Sequence, residues 1–392
     1  MSEKKKVAIL LPWLKMGGTN KIALHFMKEL SQYCDVTLIL SEHTGELLSQ
    51  LPDNIHLIVD TMRPFKDIFK EDLRKLRIGR LLEDVIYYGH IKMKKDSVDN
   101  YRYLVQRHGY ICDTEFDCAI SYHGQSPERL LSLLFRTHAK KKVAWIHGEF
   151  SNTADHCRRM NVYYDQLDRM FFVSKHTLNS FLDKFTMDRS KCTVYYNPID
   201  RQEILDKAGL SCEPEFDPAF INLLTVGRVS AEKGQDMIPA VTRRLLDAGH
   251  NVRWYIVGDG DTRPKVESLI RQHGVEENVI LLGTKTNPYP YMRSCDLYVQ
   301  PSYTEGYSTT ICEAGMLGKA IVGTKPSGGI YDQITNGEDG FIVDATVDGL
   351  AEGIRTLIED KALRNQFETN IQKKNFEGKG EINKFLTFLK LS

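Results

Sequence analysis

From Lys6 the chain reads KVAILLP, then a short stretch holding Gly17 and Gly18, then NKIALHFMKELSQ and DVTLILS. The outer segments are continuous apolar runs of strand length, and the middle one repeats its apolar residues at helical spacing. A strand, a glycine turn, a helix and a second strand make a crossover, which places the two strands parallel in one sheet. Further strand-length runs follow at Cys118–His123, Lys142–His147 and Arg169–Ser174. The pattern breaks at Tyr195–Asp200, and a polar, proline-containing stretch through Cys212–Phe220 reads as a linker. A second alternation starts at Ile221–Ser230 and continues through Val252–Gly260, Val279–Gly283, Leu297–Ser302, Ala320–Thr324 and Gly340–Asp344. At 392 residues the chain exceeds one compact core. The expected fold class is therefore α/β: two doubly wound, Rossmann-like domains over 1–198 and 199–377, facing across a cleft. Ligands of such sheets bind outside the carboxyl ends of the strands.

Composition removes several classes of function. Lys plus Arg equals Asp plus Glu at 52 each, so no global positive charge points to nucleic acid. The eight cysteines are scattered without a CxxC pair, which suits reduced thiols rather than a disulfide framework. No run approaches the roughly 20 apolar residues that a membrane span requires. The basic, apolar N-terminus breaks at Pro12 and Lys15 with no small-residue cleavage site after it, so a cytoplasmic protein is expected. Segment 62–96 stands apart, with Lys and Arg interleaved with Phe, Leu, Ile and Tyr. It reads either as a solvated amphipathic helix pair or as a surface that meets anionic lipid headgroups at the membrane.

Chemistry concentrates in PSYTEGYSTTICEAGMLGKAIV, Pro301–Val322. Glu305 falls in the loop after a strand, and Glu313 one turn into a helix that begins near Ser308 or Thr309. Unpaired amides at that helix start suit a phosphate, Gly306 lets the backbone approach it, and Ser308, Thr309 and Thr310 add hydroxyls. The carboxylates suit the hydroxyls of a sugar. A glycoside hydrolase also uses two carboxylates, but the neighbouring phosphate cradle favours a sugar attached to phosphate. Upstream, VGRVSAEKGQD places Arg228 and Lys233 after Gly227 on a strand-to-helix loop, where they can neutralise a diphosphate leaving group. On this reading no metal and no cofactor are needed. Gly17 and Gly18 permit close approach of a ligand to a helix start. The stretch is neither GxGxxG nor a P-loop, which argues against dinucleotide or ATP. His147 and Ser174 end strands on the same expected edge, His147 as a hydroxyl partner or proton handler and equally as a structural residue.

These motifs, in this order, resemble the family 4 retaining nucleotide-sugar glycosyltransferases of GT-B fold. VGRVSAEKG, IVGDG, VILLG, CDLYVQPSYTEGYSTTICEAGMLGKAIVGT and GFIV carry the resemblance, with the E-x7-E pair Glu305 and Glu313 the most specific element. The resemblance implies that Arg228 and Lys233 bind the donor diphosphate. It places Glu305 on the transferred sugar, beside the Gly306–Thr310 backbone that includes Tyr307. Glu313 then holds the ribose, and Leu281–Lys285, with Leu282 and Lys285, the base. His147 falls near the hydroxymethyl side of the sugar, and Gly17 and Gly18 near the phosphates and the acceptor. It makes 1–198 the acceptor-binding domain and 199–377 the donor domain, with a last helix over 378–392 crossing back to the first. The expected activity is metal-independent transfer, with retention, of a hexose or N-acetylhexosamine from a UDP-sugar to a saccharide acceptor. That acceptor is expected to be lipid-linked. A GT-B epimerase, a phosphorylase and a non-catalytic sugar-binding subunit are the alternatives.

Overall fold

The structure, a computed structural model, describes residues 4–62, 65–80, 85, 98–149, 154–211, 216–325, 328–378 and 380–390. It divides into two compact units. Unit 1 comprises Met1–Val173, Thr177–Tyr195 and Gly380–Ser392; unit 2 comprises Ser174–His176 and Tyr196–Lys379.

Unit 1 is built on seven parallel strands: β1 (Lys6–Leu11), β2 (Asp35–Leu40), β3 (His56–Val59), β4 (Glu115–Ser121), β5 (His138–Ile146), β6 (Arg169–Phe172) and β7 (Cys192–Val194). Their order is β3-β2-β1-β4-β5-β6-β7. Val7 to Leu11 are all buried, because helices cover both faces of the central strands, as an all-parallel sheet requires. One face packs Ala8, Leu10, Ala119, Ala144 and Phe172 against the helices over Pro127–Arg136 and Lys175–Leu182. On the other, Phe26, Tyr122, Trp145, Phe171 and Tyr195 form an aromatic layer, and Phe385 joins it with its ring 5.4 Å from Phe26. Phe385 belongs to the last helix, Glu381–Leu389, which lies on unit 1. Lys5 Nζ donates to Leu389 O at 2.7 Å and Lys141 Nζ to Phe388 O at 2.5 Å, placing cations at the negative end of that helix.

Unit 2 carries six parallel strands: β8 (Ile221–Val226), β9 (Val252–Val257), β10 (Val279–Gly283), β11 (Leu297–Gln300), β12 (Ala320–Thr324) and β13 (Phe341–Val343), in the order β10-β9-β8-β11-β12-β13. Buried polar atoms pair off within the sheet: Trp254 Nε1 donates to Thr225 Oγ1 at 3.0 Å, which donates to Val299 O at 2.8 Å.

The structure departs from the sequence reading at the edges. β3 and β7 are short outer strands with little buried apolar surface, so no continuous apolar run marks them. β5 starts at His138 rather than Lys142, because its lysine-rich first half is only partly covered. The stretch read as a linker contains a helix, Arg201–Ala208, which Asp200 caps by accepting from Glu203 N at 3.0 Å. Within it, Cys212 to Glu215 lie outside the described residues. Of segment 62–96, a helix over Phe65–Arg74 is described, while 63–64, 81–84 and 86–96 lie outside. Among the described residues no helix is long and apolar enough to cross a membrane.

Candidate active site

In unit 2 the chain leaves β8 toward β9 on one side and reaches β11 on the other. The switch point of the sheet therefore lies between β8 and β11, where open α/β sheets bind ligands. Two loops leave the carboxyl ends of these strands, one over 227–234 and one over 301–308. They interlock by backbone: Tyr303 N donates to Glu232 O at 2.8 Å. Gly234 has φ +68°, and a Cβ there would lie 2.0 Å from Pro301 O, so the contact admits only glycine. The loop after β9 joins the same way, since a Cβ on Gly258 would lie 1.9 Å from Gly227 O.

The interlocked loops bring together Lys233 and Glu305, 72 residues apart in sequence, as a hydrogen-bonded ion pair with side chains 20% and 15% exposed. Arg228 stands outward with its side chain 72% exposed, its guanidinium 3.6 Å from the Glu232 carboxylate. Its carbonyl is anchored by the buried Gln235, whose Nε2 donates at 2.9 Å. Among the described residues nothing lies within 4 Å of where a Cβ on Gly227 would stand, so the space beside it is open.

The helix over Thr309–Met316 begins as the spacing predicts, with Ser308 as its cap: Ser308 Oγ accepts from Ile311 N at 3.4 Å. Ser308 N donates to Gln333 Oε1 at 3.2 Å. Among the described residues the amides of Thr309 and Thr310 remain without a partner. Only part of the expected hydroxyl set is available, which corrects the sequence reading. Ser308 Oγ and Thr310 Oγ1 bond each other at 3.0 Å, and Thr310 Oγ1 also donates to Gln300 Oε1 at 3.2 Å, so both are engaged inside the unit. Thr309 is the hydroxyl left over. Gly306 places its carbonyl against Gly329, and Tyr307 is nearly buried with its ring 5.5 Å from that of Tyr196.

Glu313 is 8% exposed and accepts from Tyr289 Oη at 3.3 Å. Burial, then the Glu313 carboxylate, pushes the Tyr289 phenol far above its ordinary range, so it stays a donor. Leu282 is half-buried near the end of β10, and Lys285 follows on the loop with Nζ 5.7 Å from the Tyr291 ring centre. Tyr289, Gln300 and Gln333 were not legible as site residues, since a lone Tyr or Gln carries no motif.

The corresponding edge of unit 1 is of another kind. Gly17 precedes the helix Gly18–Leu30 in extended backbone, with open space where a Cβ would be. Neither backbone nor packing asks for a glycine there, which leaves room for a ligand beside the first turn. His147 follows β5, and its Nε2 is closed to solvent without a hydrogen-bond partner among the described residues. Burial first, then nearby His123, holds its pKa well below the ordinary 6.5, so the ring is neutral. His123 follows β4 and is pushed down to about 4 by burial and by Arg129. Its Nε2 is likewise unpartnered among the described residues. Ser174, assigned to unit 2, is fully buried.

The turn after β9 bears on the metal reading at the level of motif. Asp259-Gly260-Asp261 has the Asp-x-Asp spacing used by metal-dependent sugar transferases. In the structure Asp259 accepts from Gly260 N at 2.7 Å and from Arg263 at 3.2 Å, so its carboxylate closes its own turn.

At the switch point of the parallel sheet a lysine–carboxylate pair stands beside helix amides that have no partner among the described residues, an arrangement that can hold an anion next to hydroxyl groups. Residues 214–374, which fall within unit 2, match the family model of glycosyl transferases group 1. The chain is 27% identical over 212 residues to the N-acetylgalactosamine-N,N'-diacetylbacillosaminyl-diphospho-undecaprenol 4-alpha-N-acetylgalactosaminyltransferase of Campylobacter jejuni, covering 53% of this chain and 56% of the relative. It is 28% identical over 154 residues to the capsular polysaccharide biosynthesis glycosyltransferase CapM of Staphylococcus aureus, 38% of this chain and 40% of the relative. The alignments thus span about half, or less, of these curated relatives. Across almost the whole chain the structure resembles Anabaena HepE, solved in complex with UDP and glucose, with TM-score 0.73 at 19% identity over 98% of this chain and 99% of that one. The fold is GT-B.

Proposed function

We propose that this protein is a retaining, metal-independent glycosyltransferase. It moves a hexose or N-acetylhexosamine from a UDP-sugar to a saccharide acceptor, lipid-linked, in the synthesis of a cell-surface polysaccharide or glycoconjugate. The observation that carries the reading is the meeting of Lys233 with Glu305 beside the open amides of Thr309 and Thr310. A cation and helix amides stabilise the charge that develops on a leaving diphosphate, and a carboxylate accepts from sugar hydroxyls. The Campylobacter relative, an N-acetylgalactosaminyltransferase with a diphospho-undecaprenol acceptor, supports the donor sugar and acceptor classes, and the HepE complex supports UDP.

In the step we propose, the acceptor oxygen attacks the anomeric carbon on the face that the diphosphate leaves. The bond from that carbon to the phosphate oxygen breaks, and the β-phosphate takes the acceptor proton. Lys233, Arg228 and the amides of Thr309 and Thr310 hold the departing UDP; Glu305 holds the sugar; Glu313, fixed by Tyr289, holds the ribose. The protein works in the cytoplasm and sits peripherally at the inner membrane face. Leu73, Leu76 and Ile78, 53%, 77% and 68% exposed among Lys70, Arg74, Lys75 and Arg80, support that placement.

The test is UDP release from UDP-hexoses and UDP-N-acetylhexosamines, with and without EDTA, followed by the anomeric configuration of the product. Release that persists in EDTA and a retained anomer are expected. Dependence on a divalent ion sinks the metal-free mechanism, and an inverted product sinks retention.

A further inference from the structure

Gln333 is a fully buried amide that no motif brought to notice. It follows the short 3-10 turn Gly328–Asp332, and its backbone is pinned at both ends. Its N–H donates to Ile330 O at 2.9 Å, and its carbonyl accepts from Lys374 Nζ at 2.9 Å. Lys374 is itself paired with Asp339 at 2.6 Å. From this anchor the side chain grips Ser308 on both sides of its backbone. Nε2 donates to Ser308 O at 2.6 Å, and Oε1 accepts from Ser308 N at 3.2 Å. Nε2 also reaches Cys312 Sγ at 2.9 Å, the residue before Glu313.

A primary amide paired in this way replaces a strand partner for one residue. It satisfies a buried N–H and a buried C=O of the loop at once. Ser308 is the cap on which the first turn hangs. With its own N–H held by Gln333 and Ile311 N held by its hydroxyl, the amides left open are those of Thr309 and Thr310. We propose that Gln333 is a positioning residue of the anion site: by fixing both backbone groups of Ser308, it aims the Thr309 and Thr310 amides at a nucleoside diphosphate and sets the start of the helix that bears Glu313. The inference rests on the donor-site reading of this loop.

The experiment measures UDP affinity by titration calorimetry for the wild type, Gln333→Leu and Gln333→Glu across about pH 5.5 to 8.5, with thermal melting to establish that each is folded. Leu removes both contacts at similar volume, and UDP binds about tenfold more weakly or worse. Glu supplies the acceptor for Ser308 N at every pH, but the donor to Ser308 O only when protonated. Its burial raises its pKa, so its affinity relative to wild type at the same pH recovers as the solution is acidified. A structural role alone lowers the melting temperature without this pH-dependent return of UDP affinity in the folded protein. Folded Leu and Glu variants that bind UDP like the wild type overturn the role of Gln333 and leave the donor site standing. A Glu variant weakened equally at all pH values also overturns that role. Wild-type protein that fails to bind UDP overturns the donor-site reading and this inference together. If the Leu variant does not fold, the Glu series alone decides.

Discussion

The two units wind their sheets in the same sense and finish their strands very differently. The β8–β11 edge of unit 2 is charged and made of loops whose backbones touch, so that Lys233, Glu305 and two open amides project from a rigid base. The β4–β5 edge of unit 1 is aromatic, with the Arg129 guanidinium close enough to His123 to act on its titration. His123 and His147 sit there with Nε2 atoms closed to water, and Tyr122 packs its ring 4.7 Å from that of His147. The first edge gathers charged side chains, and the second gathers aromatic and imidazole rings. One winding therefore serves two chemistries, because the fold dictates only where strand ends gather, while loop residues decide the field there. The family model matches unit 2 alone.

Breaking the charged edge should give the largest effect. Lys233→Ala should lower kcat/KM for the sugar donor by about 10²- to 10³-fold, as expected for one preorganised partner of a leaving group. Steady-state kinetics on a variant shown by melting to be folded checks this, and near-normal turnover removes Lys233 from the mechanism.

The rigid base beneath that edge comes next. Gly258→Ala puts a methyl where Gly227 O already lies, at φ +141°, and should cost about 2 kcal/mol or more of stability. Denaturant unfolding measures it, and an unchanged midpoint shows that the loops can part without loss.

Acidification should act on the two units differently. The folded pKa of His123 lies at about 4 and that of His147 below the ordinary 6.5, so the unfolded chain takes up protons first. Unit 1 is then fully stabilised above about pH 6.5 and loses stability as pH falls from there toward about 4. In unit 2, burial raises the pKa of Asp332 above 3.8, so its protonation on the way down favours the folded form. Hydrogen exchange at about pH 7 and about pH 5, corrected for intrinsic rates, should show protection falling in β4 and β5 more than in β8 and β11. Equal losses undo the contrast.

The smallest effect sharpens the view of the ion pair. Glu305 pairs with Lys233 in the structure. Glu305→Gln should therefore slow transfer, through loss of a sugar contact, while binding UDP alone about two- to fivefold more tightly, the scale of a partly exposed pair. Weaker UDP binding shows instead that Glu305 holds Lys233 in its productive place.

Much of this was readable in the linear chain. Val279–Gly283 and Ala320–Thr324 were placed to the residue, because each opens on an unbroken apolar run of strand length, although only the second is buried throughout. The start of the Thr309–Met316 helix was readable from its cap chemistry. The outer strands β3 and β7 and the helix Arg201–Ala208 were not, since short elements at the margin bury too little apolar surface to leave a pattern.

Local pattern alone determined that the chain alternates strand and helix twice over and that its reactive side chains follow strand ends, because periodicity and capping act over neighbouring residues. Only the tertiary structure decided that Lys233 meets Glu305, that Ser308 and Thr310 spend their hydroxyls inward, and that Gln333 holds the turn. Those pairings join segments between 2 and 72 residues apart, and the longer of them exist only once packed sheets bring separate loops within hydrogen-bond reach.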